Sequence, residues 1–184
     1  MKIVSIDFET RSAVDLRKTG VYVYAADAST DIWCMSYMMD GGDEVFTWCP
    51  GDSIDTRLED WIIEGGALSA WNANFERVIW NAIMVPRYNW PRTKSQQWHC
   101  SMAAASAAGL PRSLGQAASV LGVEEQKDKK GQALMLRMAR PRKINADGSY
   151  TWWDTPDKIS ALIDYCDQDV RTEVDIAEHI PPLS

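Results

Sequence analysis

Apolar and polar positions alternate from the start of the chain. Lys2-Ile3-Val4-Ser5-Ile6-Asp7-Phe8-Glu9-Thr10 reads as a strand, with Ile6 and Phe8 on one face and Asp7 and Glu9 on the other. Arg11 to Thr30 reads as a polar connection rich in turn formers. Asp31 to Met39 is a second strand, Asp40-Gly41-Gly42-Asp43 a hairpin turn and Glu44 to Cys49 the returning strand, so three strands open the fold as an antiparallel meander. The spacing predicts a short amphipathic helix over Ser53 to Glu64, closed by Gly65-Gly66, and a fourth strand over Ala67 to Trp71. At Asn72 the period becomes helical: Phe75, Ile79 and either Ala82 or Ile83 form the apolar stripe, and Asn72 or Asn74 is placed as N-cap.

From Pro86 to Trp98 no period holds. Ser101 to Ala108, Ser113 to Leu121 and Lys127 to Arg140 read as helices, with Ser113 as a cap and Gly109 and Gly122 as stops. Pro141 to Trp153 reads as a mobile loop. A last helix starts at Thr155-Pro156-Asp157, a capping hydroxyl, a first-turn proline and an early acid. Its apolar stripe is Ile159, Leu162, Ile163, Cys166, Val170, Val174 and Ala177, with Tyr165 and Asp169, four residues apart, at the shoulder.

At 184 residues, 46% hydrophobic and 24% charged, the expectation is one soluble domain over residues 1–184 that buries its own core. No apolar run reaches the length of a membrane span and no leader precedes the first strand, so a cytoplasmic setting with no membrane contact is expected. The four cysteines form no C-x-x-C pair and the two histidines are far apart, which argues against zinc and against a disulfide framework. A net charge of −7 disfavours a broad grip on nucleic acid but leaves room for a narrow metal-dependent site, because bound divalent ions reverse the local sign.

Asp7 and Glu9, side by side at the end of an apolar strand, repel each other; either a cation sits between them or they are solvated acids in a loop. Glu76 falls in the first turn of a helix, where a carboxylate is favourable with the helix dipole whether or not it has another role. Asp169 is either a partly desolvated acid in want of a partner or one more solvated acid on a helix with Asp164, Asp167, Glu173 and Asp175. Trp33, Trp48 and Trp80 read as core. Trp152 and Trp153, with Arg142 and Lys143 on the same segment, read equally well as core or as a platform for a nucleic-acid strand. Arg11 and Arg77 are placed to contact phosphates or to pair with surface acids.

Three motifs in this order resemble the exonuclease motifs of the DEDD superfamily: D-x-E-T at Asp7, N-x-x-F-E at Asn72, and Y-x-x-x-D at Tyr165. The tyrosine variant is the one found in the proofreading domains of family A DNA polymerases. Gly109-Leu110-Pro111-Arg112-Ser113-Leu114 and Lys127-Asp128-Lys129-Lys130-Gly131 resemble the same region of phage-type DNA polymerase I sequences. The resemblance implies a ribonuclease H-like fold, a mixed five-stranded sheet flanked by helices, although its fifth strand has no signal of its own here. It implies metal ligation by Asp7, Glu9, Glu76 and Asp169, with Glu76 where the family usually has aspartate, and a water-orienting role for Tyr165. Thr10, Asn72 and Phe75 resemble residues that position the terminal nucleotide; Trp71 stands where many relatives have histidine.

Oxygen-only ligands select hard cations, so two Mg²⁺ or Mn²⁺ ions are expected as cofactors. The implied reaction is hydrolysis of the terminal phosphodiester at the 3′ end of single-stranded DNA, releasing nucleoside 5′-monophosphates. A DNA polymerase domain or subunit is an implied partner, and a stand-alone, split or shortened polymerase are all left open. An exoribonuclease of the same superfamily and a non-catalytic scaffold relative are the alternatives.

Overall fold

The structure, a computed structural model, describes residues 2–123 and 129–181. Strand β1 (Ile3–Arg11) pairs antiparallel with β2 (Asp31–Met38), which pairs antiparallel with β3 (Val45–Trp48), giving the expected meander. On its other edge β1 pairs in parallel with β4 (Ala67–Ala70), and β4 with β5 (Trp98–Cys100). The result is a mixed five-stranded sheet of order β3-β2-β1-β4-β5 with helices against it, an α/β arrangement consistent with the ribonuclease H-like fold.

The two faces of β1 differ in chemistry and therefore in what covers them. Val4, Ile6 and Phe8 point into the main core, together with Ile79, Trp80, Ile83 and Met84. Those four come from α3 (Ala73–Ile79) and the π-helical turn Trp80–Met84 that continues it, while α2 (Thr56–Ile63) adds Leu58 and Ile62. The opposite face presents Ser5, Asp7 and Glu9, flanked by Ser36 of β2, which lies opposite Asp7, and by Ser69 of β4, which lies opposite Ser5. Small hydroxyl side chains let the long helix α8 (Pro156–His179) lie close on this face and supply donors to its acids. Ser36 and Thr47 donate to Asp167, and Ser69 donates to Glu173.

Several elements depart from the periodic reading. The stretch read as a connection contains α1 (Leu16–Ala26), started by the Asp15 carboxylate accepting from the Arg17 N–H and bent at Gly20, whose φ of 75° breaks the apolar period. The segment read as aperiodic holds α4 (Val85–Tyr88), with Pro86 in its first turn, and β5, a strand of three residues too short to alternate visibly. Helices α5 (Ser101–Ala107), α6 (Leu114–Leu121) and α7 (Lys129–Met138) match their expected places; residues 127 and 128 of the expected α7 lie outside the described residues. Asn72, Ser113 and Thr155 occupy N-cap positions but make no side-chain cap bond.

The segment read as a mobile loop is a hairpin, β6 (Lys143–Ile144) with β7 (Tyr150–Thr151). It is anchored by Trp152, which meets Trp33 edge-on at 6.4 Å, in a cluster with Met138 and Leu162. The inward face of α8 also differs from the expected stripe. Leu162, Tyr165, Cys166, Val170, Glu173 and Ile176 are buried, while Val174 is half-buried and Ala177 exposed. The helix is rotated because a polar sheet face lies beneath it, so Tyr165 stands inside the buried face rather than at its shoulder.

Candidate active site

The site is built at the end of β1. Asp7 and Glu9 share the α8 side of the strand as the alternation required, and Glu9 is buried. Between Glu9 and Thr10 the pairing with β2 slips by one: Glu9 faces Cys34 and Thr10 faces Ile32, leaving Trp33 with no residue opposite. Such a slip re-aims the residues that follow it. Thr10 turns inward to Tyr24 of α1, with 2.8 Å between the hydroxyls. Arg11 turns outward, pairs with Asp31 at 3.4 Å and stacks between Trp33 and Trp152. Arg11 is thus engaged by a surface acid and two indoles. Arg77 donates to Asn74.

Glu76 sits in the first turn of α3, directly after β4, and only 4% of it is exposed. Burial, reinforced by the negative charge of Asp7, holds its carboxyl well above the usual carboxylate range. Its Oε2 is buried with no hydrogen-bond partner among the described residues. A carboxylate oxygen in that position is costly unless a proton or a cation joins it.

Tyr165 and Asp169 come from successive turns of α8. Burial first, and then the charges of Asp169 and Glu9, raise the phenol far above its ordinary pKa. Cys166, next to Tyr165, places its Sγ 3.3 Å from Asp7 Oδ2, and burial also pushes this thiol well up. One turn beyond Asp169 is Glu173, which was expected to be solvated. It is 2% exposed and accepts from Ser69 Oγ and Ser101 Oγ, each at 2.6 Å. Burial pushes its carboxyl up to about 7 against the opposing effect of those hydrogen bonds. Asp167 also is not a free surface acid, being held by Ser36 and Thr47.

Asp7, Glu9, Thr10, Phe75, Glu76, Tyr165 and Asp169 line one open cavity of about 580 Å³. Four of these residues, Asp7, Glu9, Glu76 and Asp169, are acids drawn from three elements, and they are the four that the motif resemblance singled out. Asn72 is exposed and is not among the lining residues, nor are Arg142, Trp152 and Trp153. Trp153 lies between two guanidinium groups, Arg137 at 5.6 Å and Arg142 at 5.3 Å from its ring. The rest of the lining includes residues the sequence did not single out: Leu16, Arg17 and Tyr24 of α1, and Met135 and Leu136 of α7. Tyr24 gave no signal because its helix gave none. Glu173 did give one, its position four residues after Asp169 and eight after Tyr165, which puts all three on one face.

Among the described residues, no three His, Cys, Asp or Glu side chains are already gathered as an ion-binding group. The donor chemistry nonetheless fits a hard divalent cation: the acids offer only oxygen, and Glu76 has a buried oxygen without a partner. Among the described residues no helix is long and apolar enough to cross a membrane.

Fold and cleft together define an α/β protein whose central strand ends in an acidic cleft closed by one long helix. No family model matches the chain. Its sequence is similar to a DNA polymerase of Bacillus phage SP02, 32% identical over 190 aligned positions that take in 98% of this chain. The chain spans 28% of the length of that polymerase, and over that part it is a relative of it.

Proposed function

We propose that the chain is a metal-dependent 3′–5′ exonuclease that trims single-stranded DNA, acting as one unit over residues 1–184 in phage DNA replication or proofreading. The observation that carries the reading is that Asp7, Glu9, Glu76 and Asp169 line one cavity, with the buried Glu76 Oε2 lacking a donor among the described residues. The likeness to a phage DNA polymerase supports a DNA substrate, and a polymerase domain or subunit as partner.

Asp7, Glu9, Glu76 and Asp169 would hold two Mg²⁺ or Mn²⁺ ions. Bound there, such ions lower the pKa of an attacking water and neutralise charge on the leaving 3′ oxygen. Tyr165, kept protonated by its surroundings, orients that water as a hydrogen-bond partner rather than taking its proton. Thr10 and Phe75 hold the terminal nucleotide against the wall made by α1 and α7, and Asn72, exposed at the start of α3, is the further candidate to contact it. Further along the strand, Trp153 with its flanking Arg142, and Trp152 beside it in sequence, offer stacking platforms.

The test is digestion of a 5′-labelled single-stranded DNA oligonucleotide in Mg²⁺, Mn²⁺ or EDTA, beside the variant Asp7→Ala and a matched RNA. A metal-dependent ladder shortening from the 3′ end, lost in Asp7→Ala, is expected. Full activity in that variant would sink the site, and preferential cutting of the RNA would reassign the substrate.

A further inference from the structure

One buried carboxylate beside the cleft has no part in the chemistry proposed so far. Glu173 points from α8 into the junction of three elements. Ser69 Oγ of β4 and Ser101 Oγ at the start of α5 both donate to its Oε1, each at 2.6 Å, and the Trp71 backbone N–H, where β4 ends, donates to the same carboxylate. The two hydroxyl oxygens lie 2.7 Å apart, an approach set by their shared acceptor because each proton is directed to Glu173. All three donors are neutral. A buried carboxylate held only by neutral donors is an expensive way to fill space, and an apolar side chain of the same size would cost less.

Its placement accounts for its presence. β4 leads within a few residues to the first turn of α3 and Glu76, while α8 carries Asp169 one turn before Glu173 and Tyr165 two turns before. The three-donor bond therefore ties the segment that delivers Glu76 to the helix that delivers Asp169 and Tyr165. We propose that Glu173 is a positioning residue, which sets the rotation of α8 against β4 so that Asp169 and Glu76 face Asp7 as one ion-binding set. It acts through those residues and touches neither substrate nor ion. The inference rests on the metal-dependent reading of the cleft given above.

The test measures Mn²⁺ binding by calorimetry, and oligonucleotide cleavage as separate kcat and KM values, for the full chain and its variants. Glu173→Ala weakens Mn²⁺ binding and lowers kcat, each by about 10- to 100-fold, while KM for the oligonucleotide stays within about twofold. Glu173→Gln, which still offers Ser69 and Ser101 an acceptor oxygen, recovers part of both losses. Leu58→Ala, a core variant on the other face of the sheet, serves as the control for lost stability and keeps wild-type Mn²⁺ affinity. Wild-type affinity and kcat in Glu173→Ala, or an equal loss of affinity in Leu58→Ala, overturns the proposal. If Glu173→Ala does not fold, Glu173→Gln and the double variant Ser69→Ala/Ser101→Ala decide: weakened Mn²⁺ binding supports the proposal and unchanged binding overturns it. A wild type that binds Mn²⁺ but cuts no DNA refutes the exonuclease while leaving the affinity comparison to judge Glu173. A wild type that binds no Mn²⁺ overturns both.

Discussion

At the scale of single residues, the cleft concentrates carboxylates that the fold would be more stable without. Glu76 is buried beside Asp7 with an unpartnered oxygen, so its ionised form is disfavoured until a cation arrives. Glu76→Gln should therefore raise the melting temperature in EDTA and forfeit the increment that Mg²⁺ gives the wild type, an increment of about 2.7 kcal/mol at a hundredfold excess over Kd. Thermal scans with and without Mg²⁺ read both effects, and an equal Mg²⁺ increment in the variant would show that Glu76 holds no ion. Tyr165→Phe keeps the ring and removes the hydroxyl that orients the water. Its kcat should fall by about a hundredfold with Mn²⁺ affinity unchanged, and a loss of affinity as large as that of Asp169→Ala would refute the orienting role. Alternation paired Asp7 with Glu9 and helical spacing paired Tyr165 with Asp169, but spacing alone left these acids open between solvated and ligating readings, and only the motif resemblance joined them into one site. Glu173 showed its helix face in the same spacing but not its burial, which depends on Ser69 and Ser101, residues 104 and 72 positions away.

At the scale of elements, the parts that escaped the sequence are those whose stability comes from neighbours. β5 is three residues long and exists through its pairing with β4. α1 is interrupted by Gly20, and the hairpin of β6 and β7 joins strands of only two residues, held by its Asp147-Gly148 turn and by Trp152 on Trp33. Where a local signal does the work, the effect of removing it is also local. Asp55 caps α2: its carboxylate accepts from the Arg57 N–H at 2.9 Å and from the Tyr37 hydroxyl, and Arg57 with these bonds brings its pKa down to about 2. A carboxyl with a depressed folded pKa contributes stability above its unfolded value of about 3.9, and that contribution fades as pH falls towards the folded value. Asp55→Ala should accordingly cost about 1–2 kcal/mol at pH 7, with the difference from wild type narrowing below pH 4 and smallest once pH falls below about 2. Urea titrations across that range check it, and a pH-independent difference would show that the cap is not electrostatic.

At the scale of the whole molecule, the sheet separates two kinds of interior. One face is an apolar core; the other is a layer of hydroxyls and acids under α8, and the candidate site lies at the end of that second layer. The apolar side holds a run of indoles with a consequence for optical work. Trp48 at the end of β3 contacts Trp90 at 5.9 Å, Trp90 contacts Trp80 at 5.4 Å, and Trp80 contacts Trp98 at the start of β5 at 6.3 Å. These four rings run from one edge strand of the sheet to the other, close enough to exchange excitation. Because successive rings are tilted by 86°, 68° and 63°, excitation that hops along the run loses its polarisation, and a quencher at one ring dims the others. Trp33 and Trp152, a separate pair beside the hairpin, will report on a different part of the molecule at the same wavelength.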